Sequence, residues 1–318
     1  MKPGSNSLPN ARSGMAFASL LLALAPRPQA IASESGFSGF VDAQLAAGRE
    51  SNAAGIQDGA LYFAQEKEGS RVFIDVAFQL KSSSTNDFTV FLNKGQAAVS
   101  HRILEKLELK LGQFDAVSGL ERNDTRDIRF TRQGPLYATQ PVTLTGLSIT
   151  SSFGDAWTAQ GVISGAENEG TREIGKRPEI AGRIEWKGPI TLSASGTYRS
   201  LNAATQRLYV NATAQAALGP ANIGVQLSLA RAGNSPTGAG AGLIADYALS
   251  ERSGLGARAE FVSRFSSFRT VALTTGPQYQ LTSALRVKTD YTLTQEQVTS
   301  AGKSATNHQA ALSAIYSF

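Results

Sequence analysis

The feature that most constrains the fold is a period-two alternation of side-chain character, repeated along most of the chain. In "RVFIDVAFQL", the apolar residues Val72, Ile74 and Val76 alternate with polar residues such as Asp75. Segments of this kind run for about ten residues, the length that crosses a bilayer as a tilted strand. A period of two is typical of a β-strand with one apolar and one polar face. The sequence therefore predicts an all-β protein.

The polar face of these segments carries full charges in the middle of the predicted strands. Two segments near the C-terminus, "LGARAEFVSRF" and "LRVKTDYTL", contribute a set of charges that we predict to face a water-filled lumen: Arg258, Glu260, Arg264, Arg286, Lys288 and Asp290. The dry core of a β-sandwich cannot host such charges without a large cost in free energy. A soluble sheet with one solvated face also alternates, but it needs a separate core to cover the apolar faces. No helical segment supplies one, so the pattern favours a transmembrane antiparallel up-and-down β-barrel.

The connections between the alternating segments are short and long by turns, as in bacterial outer-membrane barrels. They predict about 16 strands, with 14 or 18 as alternatives, and both termini on the periplasmic side. Residues 49–59 form the first long connection in this interpretation, and the Gly-rich "TGAGAG" at 237–242 forms an outer loop. The Gly-rich run lacks the following helix and the Lys-Ser/Thr pair of a phosphate-binding loop.

The chain ends on "HQAALSAIYSF", which alternates up to its last residue. Leu312, Tyr316 and Phe318 share one face, and Ser313 and Ser317 lie on the other. Chain termini usually fray, whereas a barrel in a membrane leaves no strand edge unpaired. We therefore predict that this strand pairs with the first one.

Residues 1–32 are predicted to be a secretory signal peptide, and residues 33–318 the barrel. The segment combines the basic residues Lys2 and Arg12, the apolar run "MAFASLLLALA" and a small-residue "AIAS" site, which places cleavage near Ala32–Ser33. The apolar run is shorter than the roughly 20 residues of a spanning helix. Export through this route predicts localisation in the bacterial outer membrane.

Composition excludes several other classes of function. Of the 318 residues, 42% are hydrophobic and 17% charged, so the chain is neither disordered nor a helical membrane protein. Without the basic residues of the leader the formal charge falls from +5 to +2, which gives no support for nucleic-acid binding. With no cysteine and two histidines, the sequence predicts neither a metal site nor a cofactor. His101 and His308 show no hydrolase-like grouping, so we predict that the protein is not an enzyme.

The longest connection, residues 115–141, follows the fifth predicted strand and concentrates charge. It holds four acidic residues and four arginines: Asp115, Glu121, Arg122, Asp124, Arg126, Asp127, Arg129 and Arg132. In a barrel of this size the lumen is an aqueous channel, and a third outer loop folded inward would narrow it and set its selectivity. The alternative is an extracellular loop whose ion pairs are solvated.

Three stretches resemble the OmpL-like β-barrel porins: "SGFVDA" on the first strand, "FLNKGQAAVS" on the fourth, and "KLGQFDAVSGLE" followed by "TLTG". The resemblance implies an outer-membrane channel for small solutes, without a defined ligand set. By a similar resemblance, the alternating end with Leu312, Tyr316 and Phe318 is identified as the insertion signal read by the barrel assembly machinery.

The sequence thus predicts a porin for passive diffusion of small hydrophilic solutes or ions, constricted by residues 115–141. Outer-membrane lipid and the assembly machinery are the expected partners. Small outward residues such as Ala212, Ala214 and Ala216 raise the prospect of a homotrimer. The alternative function is a non-conducting barrel that acts as an adhesin or structural protein through its outer loops.

Overall fold

The described residues of the protein form sixteen β-strands and one short 3₁₀ helix in a computed structural model. The structure describes residues 35–48, 52–67, 70–82, 88–121, 129–165, 178–199, 206–235, 237–264, 268–298 and 302–318. The strands are β1 (Ser35–Gly48), β2 (Asn52–Lys67), β3 (Ser70–Ser82), β4 (Phe88–Leu104), β5 (Leu107–Asp115), β6 (Thr143–Phe153), β7 (Trp157–Ser164), β8 (Glu179–Lys187), β9 (Ile190–Arg199), β10 (Arg207–Leu218), β11 (Ala221–Ala232), β12 (Gly238–Ala248), β13 (Ser253–Arg264), β14 (Phe268–Gln280), β15 (Leu285–Val298) and β16 (Lys303–Ser317). The 3₁₀ helix spans Tyr137–Thr139. Within the described ranges, no helix is long and apolar enough to span a membrane.

Every strand pairs with its neighbours in sequence, and β1 also pairs with β16, so the sheet is a closed barrel. The closing pair is antiparallel, with Phe40 opposite Ser317 and Leu45 opposite Leu312. The backbones of Gly39 and Phe318 exchange two hydrogen bonds of 2.9 and 3.0 Å beyond the end of β16. The predicted strand number and the paired last strand are confirmed.

An even number of strands brings both termini to one end of the barrel, here named the terminal rim. The connections described there are turns of two to four residues, such as 188–189 between β8 and β9. The opposite end, the loop rim, carries the connection between β5 and β6, residues 116–142. The predicted alternation of short and long connections therefore holds around most of the barrel.

Two predicted loops are wrong. The long connection expected at residues 49–59 is largely strand, because β2 already begins at Asn52. The Gly-rich run at 237–242 is also strand from Gly238, with Gly238, Gly240 and Gly242 on the lumen side. In both places small residues give no contrast between a polar and an apolar face. The period-two alternation of a strand is therefore not visible in the sequence, and the strand forms because it pairs with its neighbours.

The outer face of the barrel is apolar because alternate residues of each strand point outward. Large side chains exposed there include Leu111, Ile163 and Leu227. Near the terminal rim this face carries aromatic residues, among which the rings of Phe153 and Trp157 stack with centroids 6.2 Å apart. Tyr316 and Phe318 also stack, at 6.4 Å. Aromatic belts of this kind mark the interface between lipid and water.

The lumen side is mainly polar, but the larger of its two described apolar clusters lies on β4–β8. It contains Ala98, Phe114, Leu144, Val162 and Ala181, all buried, together with Val117 from the connection that follows β5. Apolar burial inside a porin-sized barrel requires something to pack against the wall from within. Here the start of the 116–142 connection does so.

Candidate functional site

The connection at residues 116–142, named the internal segment from here on, lies against the lumen wall. Its described parts are residues 116–121 and 129–142. The segment leaves β5 and returns to β6, and its Ala116 N–H donates to the Val142 carbonyl over 2.9 Å, which closes its base. From the apolar cluster around Val117, it reaches strands β10–β15 and β1 on the other side of the barrel.

The first contacts across the lumen are backbone amides that bind neutral side chains of the wall. The Leu120 N–H donates to Gln226 Oε1 on β11 over 2.8 Å, and the Gly119 N–H donates to Asn211 Oδ1 on β10 over 3.4 Å. The Gln226 amide donates in turn to Gln140 of the same segment, over 3.3 Å. The side-chain amides of Asn and Gln both donate and accept hydrogen bonds. They can therefore bind backbone groups of the segment that have no partner in a strand ladder.

A buried ion pair joins the internal segment to β13. Glu121 Oε1 lies 2.5 Å from Arg258 Nη1, and the two side chains are 8% and 3% exposed. Arg258 also donates to the Arg132 carbonyl over 3.0 Å and lies 3.1 Å from the Glu260 carboxylate through Nε. Its guanidinium sits 4.6 Å from the centre of the Phe130 ring, a cation–π arrangement. One wall arginine thus binds both described halves of the segment.

The two acids beside Arg258 also accept backbone hydrogen bonds from the segment. Glu121 Oε2 accepts from the Gly134 N–H over 2.9 Å, and Glu260 Oε1 accepts from the Leu136 N–H over 3.2 Å. Buried carboxylates are stable only where such bonds compensate for lost hydration. The geometry therefore fixes residues 134–136 at a defined position against β13.

Arg129 extends this charged contact toward the terminal rim. Its guanidinium forms an ion pair with Asp246 on β12, and its Nη2 donates to the Gly276 carbonyl over 3.2 Å. Burial lowers the pKa of the Arg129 guanidinium, and the Asp246 carboxylate opposes that shift. Gly256 leaves the necessary space, because a Cβ there would lie 2.7 Å from Arg129 Nε.

Thr131 ties the segment to the strands that close the barrel. Asp290 Oδ2 on β15 accepts from both the Thr131 N–H, over 2.6 Å, and its hydroxyl, over 2.5 Å. Gln44 on β1 donates to the Thr131 carbonyl over 2.6 Å and to Asp42 over 3.0 Å. Asp42 also accepts from Ser313 of β16 over 2.5 Å. Residues of β1, β15 and β16 thus form one polar cluster with the segment, named the seam cluster.

Leu136 packs into a gap that the glycines of β12 leave in the wall. A Cβ at Gly240 would lie 2.3 Å from Leu136 Cδ1, and one at Gly242 would lie 2.9 Å from Cδ2. Leu136 is itself buried. The glycines of the "TGAGAG" run are therefore required by close approach of the segment rather than by a turn.

The eight charged residues predicted in the long connection fall into three groups. Glu121, Arg129 and Arg132 contact the wall through the bonds above, whereas Asp115 ends β5 and is exposed. Arg122, Asp124, Arg126 and Asp127 lie outside the described residues. The structure places the predicted lumen charges Arg258, Glu260, Lys288 and Asp290 in buried inward positions.

Two further predicted lumen charges differ in environment. Arg286 donates through Nε to Gln280 Oε1 over 3.0 Å near the terminal rim. Arg264 has the parity of the inward face but is exposed at the loop rim, where β13 ends.

The sequence pattern does not single out the neutral residues of the site. Asn211, Gln226, Thr131 and Leu136 carry no charge, and their only signal is an inward parity or a place in the long connection. Among the described residues, no group of three His, Cys, Asp or Glu side chains is arranged to hold a metal ion.

Open space remains on both sides of the internal segment. Toward the terminal rim, a cavity of about 420 Å³ is bordered by Glu121, Arg129 and Asp246. Toward the loop rim, a second cavity of about 360 Å³ lies between Gln140 and strands β8–β11. The described parts of the segment therefore lie between two cavities.

The sequence matches the family described as beta-barrel porin-2, OmpL-like, over residues 43–318. The chain belongs to this OmpL-like porin family. The match spans nearly the whole barrel and includes the stretches of the fourth and fifth strands that carry the resemblance, whereas "SGFVDA" on the first strand lies before it except for Ala43. The fold is accordingly that of an outer-membrane porin, and a barrel of this kind forms a channel through the outer membrane.

Solved porin structures share this fold at low sequence identity. An anion-selective porin from Comamonas acidovorans is 11% identical, with a TM-score of 0.63 over 89% of this chain and 99% of that one. The outer-membrane channel DcaP of Acinetobacter baumannii is 12% identical, with a TM-score of 0.64 over 93% and 100% of the two chains. The trimer form of OmpT from Vibrio cholerae is 13% identical, with a TM-score of 0.62 over 89% and 99%. A comparison with curated proteins gives no match.

Proposed function

We propose that the protein is a porin for passive diffusion of small hydrophilic solutes or ions, and that the internal segment constricts its channel. The observation that carries this proposal is the buried pair between Glu121 of the segment and Arg258 of β13. A loop held by such a pair on the wall cannot lie freely outside the barrel, which favours the inward arrangement over a solvated extracellular loop.

The charges around the segment support weak selectivity between cations and anions. Basic groups at this level belong to Arg129, Arg132 and Arg258, and acidic groups to Glu121, Asp246 and Glu260. Most of them are bonded to one another or to the segment backbone, so little net charge faces a passing ion. Paired charges of opposite sign create a local electric field in the channel, but they give little preference for cations over anions or the reverse.

We propose that the protein is not an enzyme. His308 lies on the outer face, where it contacts the hydroxyl of Tyr291, and His101 lies 2.8 Å from Ser70 near the terminal rim. Among the described contacts, neither histidine is held by a carboxylate, which a hydrolytic triad uses to orient its base.

Export and assembly complete the proposal. Residues 1–32 are a cleaved leader, the terminal rim faces the periplasm, and the C-terminal strand with Leu312, Tyr316 and Phe318 is read by the assembly machinery during insertion. A homotrimer is consistent with the trimeric OmpT of Vibrio cholerae, whose fold is similar. Cross-linking in native membranes, resolved by electrophoresis, tests the trimer.

Planar-bilayer conductance of refolded residues 33–318 tests the channel itself. We expect steady steps in KCl and a reversal potential near zero under a salt gradient. Deletion of residues 120–135 is expected to enlarge the steps, since it removes Glu121, Arg129 and Thr131 together.

A deletion of residues 168–175, in the connection between β7 and β8, serves as the matched control and should leave step size unchanged. A folded barrel that never conducts would favour the adhesin or structural alternative. Equal steps before and after removal of residues 120–135 would contradict the constriction.

A further inference from the structure

The loop-rim cavity has an excess of positive charge in one row of its wall. Glu179 of β8 lies directly opposite Arg199 of β9, and Arg199 lies directly opposite Arg207 of β10. One carboxylate therefore faces two guanidinium groups across three neighbouring strands. Like charges directly opposite each other destabilise an antiparallel pair, so a negative group bound beside Arg199 and Arg207 would stabilise this row.

The side chains of the row point into the barrel and differ in their exposure. Glu179 and Arg199 are buried, at 1% and 3% exposed, whereas Arg207 is exposed to the cavity. Arg207 shares its parity with the buried Tyr209 and Asn211, which places it on the inward face. A solute that enters from the loop rim thus meets Arg207 first and then the buried pair.

A second observation on the same wall points to a polar ligand. Thr197 lies two residues before Arg199 on β9, lines the cavity and is 6% exposed. Within the part of the chain that the structure describes, its hydroxyl has no hydrogen-bond partner. A buried hydroxyl without a partner costs free energy. A bound oxyanion would accept from it.

We propose that this cavity is a binding subsite for small oxyanions, carboxylates or phosphates, held by Arg207 and Arg199 with Thr197 as an additional donor. Guanidinium groups bind such anions through paired hydrogen bonds. The cavity volume of about 360 Å³ fits a small solute. The proposal deepens the porin function and rests on it: the subsite concentrates anionic solutes at the loop-rim cavity, ahead of the internal segment.

The test measures how inorganic phosphate changes channel current at constant ionic strength. Wild-type channels in KCl should show a concentration-dependent fall in conductance as phosphate replaces chloride. In Arg207→Gln, the concentration for half-maximal effect should rise about tenfold, as loss of one charge-assisted hydrogen bond predicts. Glu179→Gln should lower the phosphate concentration for half-maximal effect, since it removes the only carboxylate of the row.

Arg269→Gln is the matched control, because Arg269 lies near the loop rim but on the outward face of β14. This variant loses the same charge and should keep the wild-type response. Malonate replaces phosphate in a second series and separates carboxylate from phosphate preference. Equal responses in Arg207→Gln and wild type, or a shift in Arg269→Gln as large as in Arg207→Gln, would overturn the subsite.

The subsite and the porin function fail in different ways. Steps in KCl that phosphate does not alter would leave the porin intact and refute the subsite. If the barrel never conducts, calorimetric titration of phosphate into the detergent-solubilised full-length barrel, wild type against Arg207→Gln, still decides. Binding by the wild type that is weakened in the variant would support the subsite, and no binding by the wild type would refute it.

Discussion

At the residue scale, strand parity predicts where a charge points but not which group it meets. Alternation alone places Arg258, Glu260 and Asp290 on the lumen side, as the structure has them. Their partners Glu121 and Thr131 come from the internal segment, whose path depends on contacts far apart in sequence. The sequence thus predicts the charged components of the site, and only the folded segment pairs them.

The pair between Glu121 and Arg258 gives a prediction at this scale. Replacing Glu121 with Gln removes a carboxylate beside a buried guanidinium, and breaking a buried pair costs about 3–5 kcal/mol in general. The amide oxygen can still accept from the Gly134 N–H, so we expect a loss near the lower end. The urea concentration at mid-unfolding should fall, and the reversal potential should shift toward anion selectivity.

Glu105→Gln is the control, because Glu105 is exposed in the turn between β4 and β5. It should change neither quantity. Wild-type selectivity in Glu121→Gln would mean that permeating ions do not pass near this pair.

At the element scale, prediction is best for strands with strong polarity contrast, such as β3 and β15. It is worst for β12 and the start of β2, where Gly and Ala dominate. A run of small residues has no apolar face to read, so its strand character comes from hydrogen bonding in the closed sheet. The glycines of β12 also create the gap for Leu136, and no local pattern in the sequence indicates that function.

The contact between β12 and the internal segment gives a double-mutant prediction. Gly240→Ala places a methyl group 2.3 Å from Leu136 Cδ1 and 2.8 Å from Ser228 Oγ. Overpacking of this kind costs about 1–3 kcal/mol. Gly240→Ala should lower the urea midpoint, and Leu136→Ala in the same chain should recover part of the loss, since the two residues share one gap.

Ala241→Val provides the control, because Ala241 lies next in sequence but on the outward side of β12. It adds volume toward lipid and should leave the midpoint unchanged. Additive losses in the double variant would show that Leu136 does not occupy the gap left by Gly240.

At the scale of the whole molecule, closure of the barrel and docking of the internal segment share one set of residues. The alternation at the C-terminus predicts that the last strand closes the barrel. It does not predict that the closing strands also hold the segment. Asp42, Gln44, Asp290 and Ser313 form the seam cluster with Thr131, and they come from β1, β15 and β16. The cluster can form only when β1 and β16 are paired, so the segment has its full set of anchors only in the closed barrel.

This dependence makes a directional prediction for Asp290→Ala. The variant removes both hydrogen bonds that Asp290 accepts from Thr131, while the backbone ladder between β1 and β16 stays intact. The barrel should therefore keep its heat-modifiable mobility on electrophoresis, and the Thr131 amide should exchange with solvent faster. Larger and noisier conductance steps should accompany that exchange.

Glu296→Ala on the same strand, exposed near the loop rim, should leave all three properties unchanged. Loss of the folded electrophoretic form in Asp290→Ala would place the seam cluster in barrel closure itself, and wild-type exchange at Thr131 would show that Asp290 does not hold the segment. Faster exchange of the Thr131 amide in a barrel that stays closed would establish that the seam cluster holds the internal segment in place. It would also show that closure of the barrel does not depend on the docked segment.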